Sequence, residues 1–185
     1  MKKIAFIGTH GTGKTTSAYR LAGDLKRRGV NAEILYEVAR KCPLPINEAR
    51  TPSAQRWIVL AQIIAELEFE KAAPEILVCD RSVLDNYAYF VSAFGHDEAL
   101  DAIVKSHIKT YDLLFRTKPL PGKIEADSVR STDKEFQELV DRTVDDLLDF
   151  FGVETREFIT YPLALGYVLK RIDDHDKDTQ SSQYL

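Results

Sequence analysis

Cysteine is nearly absent from this sequence. Cys42 and Cys79 are its only two, too few and too far apart for a disulfide framework or a cysteine-rich metal site. They fit structural roles in a reducing compartment. Long apolar runs are missing too: none approaches the ~18 residues of a membrane-spanning helix. Met1-Lys2-Lys3 leads straight into a strand pattern with no cleavable signal, so an intracellular, cytoplasmic protein is expected. There is no basic excess, with 25 Lys and Arg against 29 Asp and Glu and a net charge of −4. That balance excludes a broad nucleic-acid footprint, which needs a basic face or stripe, while leaving room for a local basic pocket. Internal repeats and low-complexity tracts are also lacking. At 185 residues the chain suits one domain with a sizeable core.

What is present is alternation. Residues 2–8 (KKIAFIG), 31–37 (NAEILYE), 75–80 (EILVCD), 111–117 (YDLLFRT) and 154–161 (ETREFITY) are short apolar runs that read as strands. Between them lie helical periodicities. Tyr19, Leu21, Ala22 and Leu25 recur up to Gly29. Thr51-Pro52 opens a second helix with Trp57, Ile58, Ala61, Ile64 and Leu67 or Phe69 as its expected apolar stripe, and Pro74 closes it. A third helical region covers 83–109 with a break at 94–96, a fourth spans 136–151 and a last one 163–172. Strand and helix alternating in this way predict an α/β fold, a parallel sheet with helices on both faces. Residues 1–174 read as the domain and the polar stretch 175–185 as a loose tail.

Gly8-Thr9-His10-Gly11-Thr12-Gly13-Lys14-Thr15 satisfies GxxxxGK[ST] between a predicted strand and a predicted helix, the context that this phosphate-binding motif requires. Glycines let backbone N–H groups turn inward around phosphate oxygens, and the helix that follows aims its unsatisfied N–H groups at the same anion. Gly8, Gly11, Thr12, Gly13, Lys14, Thr15 and Thr16 are therefore the candidate nucleotide-binding residues. Lys14 places a cation on the β and γ phosphates, and Thr15 offers its hydroxyl to Mg²⁺. For His10 the sequence leaves both a specific role and a solvent-facing side chain open.

A triphosphate site belongs at the carboxyl ends of the parallel strands. There the third run closes on Asp80, a candidate second metal-holding group, followed by Arg81, able to fork onto phosphate, and Ser82. The second run closes on Glu37, with Arg40 one helical turn on. A carboxylate there can accept a proton from an attacking hydroxyl, and the same pair also fits a solvated ion pair. Residues 118–133 carry Lys118, Lys123 and Arg130 with two prolines. This segment suits a lid that brings Arg130 to the transferring group, or equally a solvated loop.

Taken in order, these residues resemble the P-loop nucleoside and nucleotide kinases. More narrowly, YEVAR, DRSVLDNYAYF and the stretch from Tyr111 to Asp141 are similar to the AAA-type ATP-binding group that includes the ribosylnicotinamide kinase domain. The resemblance spans nearly the whole chain. It implies a three-layer fold with five parallel strands in the order 2-3-1-4-5, and transfer of the γ-phosphoryl group from ATP, with Mg²⁺, to a small acceptor: a nucleoside, a nucleoside monophosphate or a ribosyl-pyridine. Carried over to this chain, Lys14, Glu37, Asp80, Arg81 and Arg130 are the catalytic set and Thr15 and Asp80 the metal set. Arg40, Asp85 and Tyr89 line the acceptor pocket. Asp127 is followed by Ser128, where the ribosylnicotinamide kinase pattern more often has Gly, which leaves the lid geometry open. Arg171 is a candidate to stack on a base, or an exposed arginine at a helix end.

The rival reading is an ATP-driven switch acting on a protein or RNA. Its sharpest form, a GTPase, is disfavoured because no Asn-Lys-x-Asp stretch occurs. The partner expected is a small molecule, without membrane or nucleic acid. Monomer and homodimer both remain open.

Overall fold

The structure, a computed structural model, describes residues 1–46, 51–119 and 134–181, with side chains to Ile172. Five strands, β1 (Lys2–Ile7), β2 (Ala32–Leu35), β3 (Ile76–Asp80), β4 (Leu113–Arg116) and β5 (Arg156–Glu157), form one sheet in the order β2-β3-β1-β4-β5. Every pairing is parallel. Six α-helices connect or follow them: α1 (Lys14–Arg27), α2 (Pro52–Ala72), α3 (Val83–Phe94), α4 (Glu98–His107), α5 (Lys134–Phe151) and α6 (Tyr161–Ser181).

Period-two alternation in β1 divides the core. Ala5 and Ile7 point into one apolar cluster, shared with α2, α3, α4 and α5, while Ile4 and Phe6 point into the other, under α1 and α6. Both faces of the strand are thereby covered, as a parallel sheet requires. The register aligns Phe6 with Asp80 and Ile7 with Arg116. The loop that follows β1 therefore emerges between the ends of β3 and β4.

Helix ends follow local chemistry. Thr51 caps α2, its hydroxyl accepting from the Ala54 N–H at 3.1 Å, with Pro52 in the first turn. The predicted break at 94–96 is the end of α3, where Gly95 takes φ 79°, and Asp97 then caps α4.

Two expectations need correction. The inward face of α2 is Ala54, Gln55, Ile58, Val59, Gln62 and Glu66, whereas Ile64 and Leu67 are 57% and 51% exposed. Two polar residues occupy core positions because buried partners satisfy them, which apolar periodicity cannot foresee. The fifth strand shortens from 154–161 to two paired residues at the sheet edge. Helix α6 spans Tyr161–Ser181.

Candidate active site

The phosphate-binding loop is built around positions only glycine fits. At Gly8, φ is 143° and an added Cβ would meet the Thr117 carbonyl at 2.6 Å. Gly13, at φ 79°, caps α1 in the left-handed region. Thr117 backs the loop: its hydroxyl donates to the Ile7 carbonyl at 2.9 Å and lies 2.7 Å from Thr12 Oγ1. Arg116 fixes Thr117 in turn, donating to its carbonyl while ion-paired at 2.8 Å to both Asp141 and Asp145 of α5. Only the place of these two residues at a strand end marks them in the sequence.

Lys14 is buried, and its ammonium donates to the Thr9 carbonyl and to Thr12 Oγ1. Desolvation, reinforced by the nearby Arg81 charge, pushes its pKa down to about 7. The Thr15 hydroxyl donates to Asp80 Oδ2 at 2.7 Å, bringing together the two predicted metal-set oxygens. Among the described residues no group of three or more His, Cys, Asp or Glu is placed to hold a metal. A hard cation at Thr15 and Asp80 would complete its shell with phosphate oxygens and water.

Opposite Lys14 stands Glu37, 5% exposed. Its Oε1 accepts from Arg81 Nε at 2.8 Å and its Oε2 lies 3.2 Å from Arg40 Nε. Burial raises the Glu37 pKa, but the charge and hydrogen bond of Arg81, with Lys14 and Arg40, outweigh it and hold the carboxyl below its usual range. Glu37 is ionised at neutral pH.

Arg81 adopts φ 99°, a conformation costly for a side chain with a Cβ. Its Nη1 sits 3.6 Å from Asp85 Oδ2, and neither atom makes a hydrogen bond among the described residues. Asp85 itself is fully buried as the capping-box partner of Ser82, its Oδ1 accepting from the Ser82 N–H at 2.5 Å and the Ser82 hydroxyl at 2.9 Å. It fixes the start of α3 and the far side of the guanidinium. Tyr89 lies under that guanidinium, 5.0 Å from its centre, and its hydroxyl accepts from the His10 N–H at 2.9 Å. His10 is buried, which settles against a solvent-facing ring, and its carbonyl accepts from Gln137 Nε2 at 2.7 Å. Gln137 is a contact that sequence pattern did not signal.

A cavity of about 70 Å³ runs from residues 10–16 to Glu37, Asp80 and Arg81. The structure thus gathers Lys14, Thr15, Glu37, Asp80 and Arg81 around one space, with Thr16 exposed at its rim. Arg171 is elsewhere: it donates to the Asp112 carbonyl, ahead of β4, and packs on Tyr167, so it stacks on no base at this site. Arg130 and Lys123 lie outside the described residues.

A five-stranded parallel sheet in the order 2-3-1-4-5, with a glycine loop feeding a helix at its carboxyl edge, is the fold of the P-loop kinases. The chain belongs to the AAA domain family, whose model matches residues 3–160. Among solved structures it is similar to thymidylate kinase from Ehrlichia chaffeensis, with a TM-score of 0.66 and 22% identity over 91% of this chain and 98% of that one. Deoxyadenosine kinase from M. mycoides, solved with dCMP and a flexible dCDP, gives a TM-score of 0.57 and 14% identity over 93% of this chain and 98% of that one. At these identities the likeness is one of fold. No curated protein matches the chain. No helix among the described residues is long and apolar enough to cross a membrane.

Proposed function

We propose that the protein transfers the γ-phosphoryl group of ATP to a hydroxyl of a small nucleoside-type acceptor. The observation that carries this is Glu37, a buried, ionised carboxylate facing the phosphate-loop lysine across one small cavity and held by two arginines. A carboxylate so placed orients an acceptor hydroxyl and takes its proton as the phosphoryl group arrives.

The charge pattern favours a hydroxyl over a phosphate acceptor. A phosphomonoester brings about two negative charges at neutral pH and needs cations to receive them. Here Arg81 and Arg40 both lie on Glu37, and Asp85 also faces Arg81. Both guanidiniums are thus already paired with carboxylates, which suits a neutral ribosyl group better than a dianion.

The residues fit ATP and Mg²⁺. The loop backbone and Lys14 suit the phosphates, and Thr15 with Asp80 presents the hard oxygens that Mg²⁺ takes. The ion supplies charge neutralisation on the phosphates. Arg81, which lines the cavity, places a cation at the junction between donor and acceptor. Arg130 completes the set as the lid arginine of residues 118–133.

The test incubates the protein with Mg²⁺-ATP and pooled nucleosides, monophosphates and ribosyl-pyridines, and reads phosphorylated products by mass spectrometry. A phosphorylated hydroxyl acceptor is expected. Release of inorganic phosphate with no phosphorylated acceptor overturns the kinase reading in favour of a nucleotide-driven switch. A diphosphate product overturns the choice of hydroxyl.

A further inference from the structure

Behind the site, inside the core, lies a polar cluster that phosphoryl transfer leaves unexplained. Glu66 of α2 is 1% exposed, and Gln62, one turn earlier, is 0% exposed. The Glu66 carboxylate receives Gln62 Nε2 at 2.9 Å, the Tyr111 hydroxyl, Lys3 Nζ at 3.1 Å and His107 Nε2 at 2.8 Å. A charge so placed costs desolvation that a well-packed apolar side chain avoids.

Two arms lead from this carboxylate to the same three residues. Gln62 Nε2, held by Glu66, also donates to the carbonyl of Arg81 at 3.3 Å. The Tyr111 hydroxyl, donating to Glu66, accepts from the N–H of Val83 at 3.0 Å. An ionised carboxylate only accepts, so it sets the direction of every bond around it. The Gln62 amide must turn its NH₂ toward Glu66 and Arg81, leaving its oxygen for Asn86 Nδ2 at 3.1 Å. Tyr111 must spend its proton on Glu66, which leaves its oxygen for Val83.

Arg81, whose carbonyl is the first of the two anchored points, stands at φ 99°. A strained residue keeps its conformation only where its surroundings over-determine it. Relaxed, the turn would swing the guanidinium away from Glu37. We propose that Gln62 and Glu66 are positioning residues for Arg81: the buried carboxylate orients Gln62 and Tyr111 so that they clamp the 81–83 turn and aim the guanidinium at Glu37 and the acceptor. The catalytic part of this assignment rests on the kinase reading above; the clamping part does not.

The test uses Gln62→Met, which keeps length and volume while removing the donor. Val168→Ala, on the inward face of α6 in the opposite core, serves as a destabilised control. One readout is independent of activity: the Arg81 Nε–H signal in ¹H–¹⁵N NMR, assigned by its loss in Arg81→Lys. In Gln62→Met this signal is expected to move and to exchange with water at least tenfold faster, while Val168→Ala leaves it in place. With an acceptor in hand, Gln62→Met lowers kcat tenfold or more with the KM for ATP within twofold, and Val168→Ala changes neither. If Gln62→Met does not fold, Tyr111→Phe, which cuts the second arm, carries the same expectations. An unmoved Arg81 signal in the folded variant overturns the proposal, as does an equal loss of kcat in the control. Failure to find any phosphorylated acceptor counts against the kinase reading alone, and the NMR result then decides the clamp.

Discussion

Arg81 Nε donates to Glu37 Oε1 at 2.8 Å, joining the ends of β3 and β2 through two side chains that are 7% and 5% exposed. The pair closes one end of the cavity, the acceptor side in the proposed reaction, and each member needs the other because neither charge is solvated. Glu37→Gln keeps the shape, removes the proposed base and leaves the guanidinium undercompensated. Transfer to a hydroxyl acceptor should fall roughly 10²-fold or more, measured as kcat with saturating ATP. Wild-type turnover in this variant would remove Glu37 from the chemistry.

Gly8 approaches Thr117 too closely for any side chain. Gly8→Ala should therefore push the loop off its seat at the end of β4 and abolish nucleotide binding. Titration calorimetry with Mg²⁺-ATP checks it, with circular dichroism confirming the sheet. Retained binding would show that the loop is seated by other contacts.

Lys14 titrates near pH 7 in the free protein because burial disfavours its charge. Bound phosphates favour the ammonium and raise its pKa, so above pH 7 binding takes up a proton and affinity falls as pH rises. Calorimetry at pH 8 in buffers of different ionisation enthalpy should show this uptake, and Lys14→Ala should lack it. The same variant should lose about 10²-fold or more in transfer, as for other charge-stabilising donors. Buffer-independent heats in the wild type would contradict the assignment.

Glu66 makes the fold sensitive to acid. Burial raises its pKa, but hydrogen bonds from His107, Tyr111 and Gln62 and the charge of Lys3 outweigh this and hold it below 4.5. A depressed carboxyl contributes stability above its unfolded value and loses it as pH falls through the folded one. Lys3→Met should cost about 3 kcal/mol at pH 7, the usual scale for breaking a buried pair, and less at an acid pH where Glu66 is protonated. Urea unfolding at both pH values measures this, and a pH-independent loss would exclude an ionised Glu66.

The amino-acid sequence by itself determined the sheet, most helix starts and the phosphate loop, because each rests on local chemistry. The apolar run of residues 4–7, Thr51-Pro52 before α2 and the GxxxxGKT spacing act over a few residues and read the same in any context. The same locality made Glu37, Asp80 and Arg81 legible, as polar residues ending apolar runs.

The tertiary structure alone decided what those residues do to one another. Gln62 and Glu66 interrupt the apolar face of α2, and no periodicity reveals that Lys3, His107 and Tyr111 wait in the core to satisfy them. Arg116 and Thr117 support the loop only because the register sets β4 against β1. Asp85 proved to be a cap as well as a neighbour of Arg81, and Arg171 lies away from the cavity where a base could stack. Each of these depends on groups far apart in the chain, and a buried charge or a strained turn can be placed only once every partner around it is known.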